Sequence, residues 1–209
     1  MMEGRSEQEE TFGHFVPGLS VPHRTLANLR RIAEWVKQIA EQVDEAHFDD
    51  LVLIPVLKAS QYFAGDVSRC LDTPHRWEYL RCRTSRGHNQ QGNDKLWVEV
   101  NRELLDKDKL RGADLLVLDT FADSGRTALG LTSFFEHYRN ELQHRSLSFA
   151  FLLERTSTNI RAQLPAHVKT YVGRQIDTER WLVGYGLDFN ERLRNIPCLV
   201  ELEYGEDYN

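Results

Sequence analysis

Between positions 116 and 127 the chain reads Leu116-Val117-Leu118-Asp119-Thr120-Phe121-Ala122-Asp123-Ser124-Gly125-Arg126-Thr127. An apolar run ends on a carboxylate, turns through Asp-Ser-Gly, and opens an apolar-periodic segment, Gly125 to Tyr138, expected to be a helix. A strand feeding a helix in this way makes a compact anion site. The unpaired N–H groups of the first helical turn point outward, and the helix dipole favours negative charge there. Gly125 permits close backbone approach, and the hydroxyls of Ser124 and Thr127 can donate to phosphate oxygens. The competing reading is that Asp123 or Ser124 simply caps the helix. A Walker loop is excluded, because no Gly-Lys-Ser/Thr ending is present, and so is a dinucleotide fingerprint.

The flanking pattern sets this turn in an α/β frame. Leu51 to Leu57 and Leu115 to Leu118 are continuous, branched and apolar, as strands buried on both faces require. Leu147 to Leu153 is a third such strand. A helix is expected from about Ser60 to Leu71, a strand near Glu78 to Cys82, and an edge strand at Leu96 to Val100. From Thr25, the residues Leu26, Leu29, Ile32, Val36, Ile39 and Val43 recur at three- and four-residue steps, which predicts an amphipathic helix. Arg83 to Asp94 is polar and without periodicity and reads as a mobile loop, about residues 84–95. Thr170 to Val172, Trp181 to Gly184 and Cys198 to Leu202 are strand-like pieces that would return as a lid. The order of elements predicts a mostly parallel twisted sheet with helices on both faces.

The 209 residues suffice for one such domain; residues 1–12 read as a flexible leader and 13–209 as the domain. A net charge of -6 argues against nucleic acid, whose phosphate backbone demands a basic footprint. No apolar run is long enough to span a membrane, and the polar, acidic first residues do not resemble a signal peptide. Cys70, Cys82 and Cys198 are odd in number and lack metal spacing, which points to reduced thiols and a cytoplasmic setting.

Asp119 to Thr127 resembles the 5-phosphoribosyl-1-pyrophosphate (PRPP) signature of type I phosphoribosyltransferases, and the chain is similar to their 6-oxopurine (hypoxanthine-guanine) branch. Three further segments agree in order. Val56-Leu57-Lys58-Ala59-Ser60 sits where the family has its pyrophosphate loop. Leu152-Leu153-Glu154-Arg155 matches the strand end that carries a base-reading Lys. Trp181-Leu182-Val183-Gly184-Tyr185-Gly186-Leu187-Asp188-Phe189-Asn190-Glu191-Arg192-Leu193-Arg194 matches the C-terminal motif, and the resemblance spans about Leu19 to Leu202.

The resemblance implies the type I phosphoribosyltransferase fold with a small hood or lid lobe built from the termini. It implies displacement of pyrophosphate from PRPP by a ring nitrogen of hypoxanthine, guanine or xanthine, giving a nucleoside monophosphate. Asp123 would accept the purine's proton, as a carboxylate placed near the ring nitrogen can. Asp119 and Thr120 would hold the ribose hydroxyls, and Asp123, Ser124, Gly125, Arg126 and Thr127 the 5′-phosphate. Leu57, Lys58 and Ala59 would contact pyrophosphate, after a cis peptide that the family places before this Lys, with Arg194 as a second cation. Asp188 would coordinate Mg²⁺ on pyrophosphate, since this hard cation prefers carboxylate and phosphate oxygen. Arg155 would donate to the exocyclic O6 in place of Lys, Trp181 would stack on the base, and Leu182 and Val183 would line it, with the Val183 C=O as acceptor. A homo-oligomer, dimer or tetramer, is also implied.

Two positions depart from the family. Thr120 stands for the second of two consecutive acids, and Thr84-Ser85 for the usual Ser-Tyr pair in the mobile loop. These departures keep two alternatives open: a PRPP- or nucleotide-binding regulator with reduced catalysis, and a specialised transferase acting on a non-standard base.

Overall fold

Alternation along three strands explains why helices cover both faces of the main sheet. Leu51 and Leu53, Leu116 and Leu118, and Ala150 and Leu152 bury into one apolar cluster. Their neighbours Val52 and Ile54, Leu115 and Val117, and Phe149 and Phe151 bury into a second cluster on the opposite face. The structure, a computed structural model, describes residues 23–88, 94–101 and 105–203. In these, β1 (His23–Ala27) and α1 (Leu29–Asp44) precede β2 (Leu51–Leu57) and α2 (Gln61–Cys70). Then come β3 (His75–Trp77), β4 (Leu80–His88), β5 (Asp94–Asn101), the single turn α3 (Lys107–Leu110) and β6 (Asp114–Ala122). α4 (Arg126–His137) and the short α5 (Arg139–Leu142) lead to β7 (Ser146–Arg155). The last elements are α6 (Ile160–Gln163), β8 (Lys169–Ile176), β9 (Trp181–Val183) and β10 (Leu199–Leu202).

The main sheet has the order β5-β4-β2-β6-β7-β8, with β3 and β4 sharing one side of β2. All of its pairings are parallel except β4 with β5. α1 and α2 pack on the Leu116 face, with Ile32, Val36, Ile39, Val43, Phe63 and Val67 buried there. On the other face α4 buries Ala128, Leu131 and Phe135, spaced by three and four residues as an amphipathic helix requires. A second, antiparallel sheet, β1-β10-β9, carries both the first and the last described strands and forms the small hood lobe.

Three expectations are corrected. The helix expected from Thr25 begins at Leu29, because His23–Ala27 pairs with β10 and the Asn28 side chain caps α1 by accepting from the Arg31 N–H at 2.9 Å. The loop expected over Arg83 to Asp94 is largely a hairpin. β4 and β5 pair in register from Arg81↔Asn101 to His88↔Asp94, and main-chain hydrogen bonds of that kind need no apolar alternation. Residues 89–93 and the leader, 1–12, lie outside the described residues. The strand expected at Leu115 to Leu118 continues to Ala122, which places Asp119 and Thr120 on the strand itself.

Leu116 is fully buried at the centre of this sheet. Leu116→Ala is expected to lower unfolding free energy by about 2–5 kcal/mol, read by chemical denaturation.

Candidate active site

The anion turn is built where β6 hands over to α4. Asp123 and Ser124 are exposed, Gly125 has φ +73°, and Arg126 starts the helix. Glycine is favoured at 125 because the backbone is left-handed there, and a Cβ would also stand 2.8 Å from Ile160 Cδ1 and 2.9 Å from Gln163 Oε1, side-chain ends that would have to shift. The turn is braced from behind by the segment that follows β7. The Thr158 hydroxyl donates to the Asp123 carbonyl, and Gln163 Nε2 donates to the Thr158 carbonyl. Buried Glu154 anchors this brace, accepting from the Ile160 N–H at 2.5 Å and from Gln175 Nε2 at 3.0 Å. Asp123, Ser124 and Arg126 therefore face outward, with Thr127 half-buried.

Asp119, half-buried near the end of β6, accepts from the Ser60 hydroxyl at 3.3 Å. Burial pushes its carboxyl up to about 6, against the pull of Ser60 and of the Thr120 and Phe121 N–H groups. Burial and the nearby Asp119 push the Cys82 thiol up to about 12, so it stays protonated and unreactive at neutral pH. The side chain of Thr120, a residue expected to hold a ribose hydroxyl, is turned into the fold. It shares the strand parity of Leu116 and Leu118, is fully buried, and donates its hydroxyl to the Ala59 carbonyl at 3.1 Å.

The segment after β2 meets the C-terminal motif. The Leu57–Lys58 peptide is cis. Gly186 comes so near that a Cβ on it would lie 1.9 Å from the Ala59 carbonyl oxygen. Lys58 Nζ lies 2.6 Å from Glu191 Oε2, and Arg194 Nη2 lies 2.7 Å from Asp188 Oδ1 and 3.5 Å from Glu191 Oε1. Arg194 Nη1 donates to the Gly186 carbonyl at 2.7 Å, whereas its buried Nε has no hydrogen-bond partner. Asp188 Oδ2 accepts from the Glu191 N–H at 2.9 Å. Lys58, chiefly, and Arg194 hold the Glu191 carboxyl below the usual carboxylate range.

At the other side of the site, Arg155 closes β7 with its side chain mostly buried. Its Nε donates to Asp123 Oδ1 at 2.5 Å, its Nη1 stands 3.6 Å from Glu179 Oε2, and its guanidinium lies over the Phe121 ring at 5.3 Å. Arg155 thus pairs with Asp123, a contact its expected role did not include. Its buried Nη1 still lacks a hydrogen-bond partner. Trp181 is 56% exposed on β9, and its indole N–H donates to the Asp188 carbonyl at 2.8 Å. Leu182 and Val183 are buried, and β9 is an edge strand of the hood, so one side of its main chain is not taken by β10. Thr84 and Ser85 lie on the backbone of β4; their side chains are outside the described residues.

The folded chain therefore gathers two groups. Asp123, Arg155 and the Ser124-Gly125 turn form one; Lys58, Ala59, Asp188 and Arg194 form the other, linked to Asp119 and Thr120 through Ser60 and Ala59. Sequence reading assigned no role to Glu191, Thr158 or Gln163. Glu191 sits inside the quoted C-terminal motif, yet only its left-handed turn, with Asn190 at φ 50° and Glu191 at φ 63°, brings it back to Lys58.

Residues 23–190 match the phosphoribosyl transferase domain family. A hypoxanthine-guanine phosphoribosyltransferase from Mycobacterium avium is 32% identical over 180 residues, covering 83% of this chain and 80% of its own. One from Dictyostelium discoideum is 28% identical over 179 residues, covering 83% and 92%. Among solved structures, a Bacillus anthracis hypoxanthine-guanine phosphoribosyltransferase with HEPES in its active site superposes at a TM-score of 0.67. It is 27% identical, and the match covers 88% of this chain and 99% of that one. A Staphylococcus aureus hypoxanthine phosphoribosyltransferase, 22% identical with coverage of 86% and 91%, shares the fold at the same TM-score, 0.67. The chain belongs to the phosphoribosyltransferase family, and its matched relatives lie in the hypoxanthine-guanine branch.

Replacing Thr120 by Val keeps the shape and removes the donor to Ala59. Thr120→Val is expected to cost about 1 kcal/mol in chemical denaturation, and Thr120→Ser to restore most of it.

Proposed function

We propose that this protein transfers the phosphoribosyl group of PRPP to a 6-oxopurine (hypoxanthine, guanine or xanthine), releasing pyrophosphate and forming a nucleoside monophosphate. The observation that carries this reading is the Asp123-Ser124-Gly125 turn at the mouth of α4, with Asp123 and Ser124 exposed and the mostly buried Arg155 paired to Asp123. Arg155 Nη1 and Arg194 Nε each leave a buried donor without a protein acceptor. Such a donor is costly unless a ligand or water oxygen meets it. The relatives named hypoxanthine-guanine phosphoribosyltransferase favour an enzyme over a regulator.

In this reading Ser124, Gly125, Arg126 and Thr127 hold the 5′-phosphate at the helix N-terminus, with Asp123 at the edge of the turn. Asp119 accepts from the ribose hydroxyls. Thr120 supports this site from beneath, through Ala59, rather than touching the sugar. Lys58, the main chain of Leu57 and Ala59, and Arg194 hold pyrophosphate, and its departure leaves positive charge on the ribose that Asp119 helps to balance. Arg155 swings its donors from Asp123 to O6, which frees the Asp123 carboxylate to accept the purine's proton. A 6-oxo group needs a donor opposite it, so a guanidinium here selects an oxopurine over adenine. Trp181 covers the base, with Leu182 and Val183 beside it.

The donor set fits Mg²⁺ carried in with pyrophosphate. Among the described residues no three acidic, His or Cys side chains form a metal cluster, while Asp188 offers a carboxylate next to the pyrophosphate cations. Mg²⁺ is commonly held by one or two carboxylates plus phosphate oxygens and water, and bound there it would neutralise charge on the leaving group. We place the reaction in the cytoplasm, in a dimer or tetramer of this chain. Among the described residues no helix is long and apolar enough to cross a membrane.

The test is incubation with PRPP, Mg²⁺ and a panel of purine bases, following pyrophosphate release. Turnover with at least one 6-oxopurine and none with adenine is expected; PRPP binding without turnover would transfer the assignment to a regulator. Asp123→Asn should lower turnover by about a hundredfold or more while PRPP affinity stays near that of the parent, measured by steady-state kinetics and calorimetry.

Asp119 adds a pH signature. Protonated, it loses acceptor capacity, and its carboxyl is raised to about 6 in the free protein. A ligand that prefers the ionised form therefore binds fully above about pH 6 and progressively more weakly below it, by up to about tenfold per pH unit. PRPP affinity should show this fall, in addition to any contribution from the ligand's own phosphate, and Asp119→Asn should remove the protein's share.

A further inference from the structure

The pyrophosphate cations are already in ion pairs, and one partner is not part of the site as assigned above. Glu191 has one carboxylate oxygen 2.6 Å from Lys58 Nζ and the other 3.5 Å from Arg194 Nη2. Nothing in the chain's regular structure requires this. Glu191 lies in a tight turn in which Phe189 and Arg192 exchange N–H···O bonds at 3.0 Å, and the two central residues, Asn190 and Glu191, are both left-handed. A left-handed backbone is ordinary for Asn and uncommon for Glu, so Glu191 is held in place by its surroundings against its own preference. The Asp188 carboxylate, accepting from the Glu191 N–H, fixes the turn. The Glu191 side chain itself is 66% exposed and its only ion-pair partners are Lys58 and Arg194 among the described residues.

We propose that Glu191 is a built-in, displaceable anion: it occupies Lys58 and Arg194 in the free protein and gives them up when pyrophosphate or the pyrophosphate end of PRPP enters. This rests on the assignment of Lys58 and Arg194 to pyrophosphate. In the free state the four side chains Lys58, Arg194, Asp188 and Glu191 sum to zero charge. The incoming group carries several negative charges against one on the carboxylate, so it prevails at both cations, while Glu191 turns into water. No bond is made or broken. The consequence is a competition: the carboxylate weakens retention of pyrophosphate and so favours its release after transfer.

The experiment is calorimetric titration of inorganic pyrophosphate onto the full chain, with and without Mg²⁺, for the parent, Glu191→Gln and Glu191→Asp. Gln removes the charge; Asp keeps it but shortens the reach to Lys58 and is better suited to the left-handed backbone. Both variants are expected to bind pyrophosphate roughly two- to fivefold tighter, with or without Mg²⁺, the range set by the strength of exposed ion pairs. Tightening in Gln alone would mean a long-range charge effect and would overturn the proposal. Unchanged binding in both, or weakening in both only with Mg²⁺ (which would make Glu191 a metal ligand), would overturn it as well. If the parent neither binds pyrophosphate nor turns over any base, the assignment of the site falls and this inference with it. Pyrophosphate binding by the parent with unchanged variants defeats the inference alone. Circular dichroism of both variants establishes that each is folded.

Discussion

One peptide carbonyl, that of Ala59, joins the parts of the site. Thr120 donates to it from the end of β6, and the backbone of Gly186 comes so close to it that no side chain fits between. The neighbouring Ser60 hydroxyl, with one proton to donate, lies within hydrogen-bond reach of both the Val56 carbonyl at 2.9 Å and Asp119 at 3.3 Å. Three segments distant in sequence are thereby held at one point: the loop after β2, the carboxyl end of β6, and the C-terminal motif. A shift of the Ala59 peptide would move Lys58, Asp119 and Asp188 together. Alignment to within a fraction of an ångström matters for a transfer that rests on positioning and charge, which makes this contact a mechanical requirement of the site.

The same geometry accounts for the threonine that departs from the family's pair of acids. An ionised carboxylate only accepts hydrogen bonds, so an Asp or Glu at 120 could not donate to Ala59. The hydroxyl can. Where the family pattern has a second acid, the chain has a fixed link from β6 to the segment after β2, and Asp119 remains as the acid beside it. Arg155, Lys58 and Arg194 are each paired with a carboxylate, so the cations are held in place without a net positive field.

Much of this was legible from the residues alone. Branched apolar runs such as Leu51 to Leu57 mark strands buried on both faces, and the Asp-Ser-Gly turn lies at the end of such a strand, as expected. Other features were set by partners that no local pattern reveals. Leu26 fits the helical spacing of the residues after it, and only the pairing of Thr25 and Ala27 with β10 on either side of it keeps it in a strand. Arg83 to His88 has no apolar rhythm, and its conformation comes from the main-chain ladder to β5. Thr120 could have been placed correctly had the strand been carried on to Ala122, since its parity matches Leu116 and Leu118. The Arg155–Asp123 and Lys58–Glu191 pairs join residues far apart in sequence, and charge alone does not say which acid meets which base.

The hood has a further consequence, for how the chain reaches its native state. Of the described elements β1 leaves the ribosome first, yet its partner β10 is the last: Arg24 meets Glu201 across 177 positions. Throughout synthesis, then, β1 waits as an unpaired edge tethered to α1. Long-range pairings of this kind close slowly, and an open strand edge is the part of a nascent chain most able to pair with the wrong neighbour. The hood sheet therefore forms only once β10 has been made and β1, far from it in sequence, has found it.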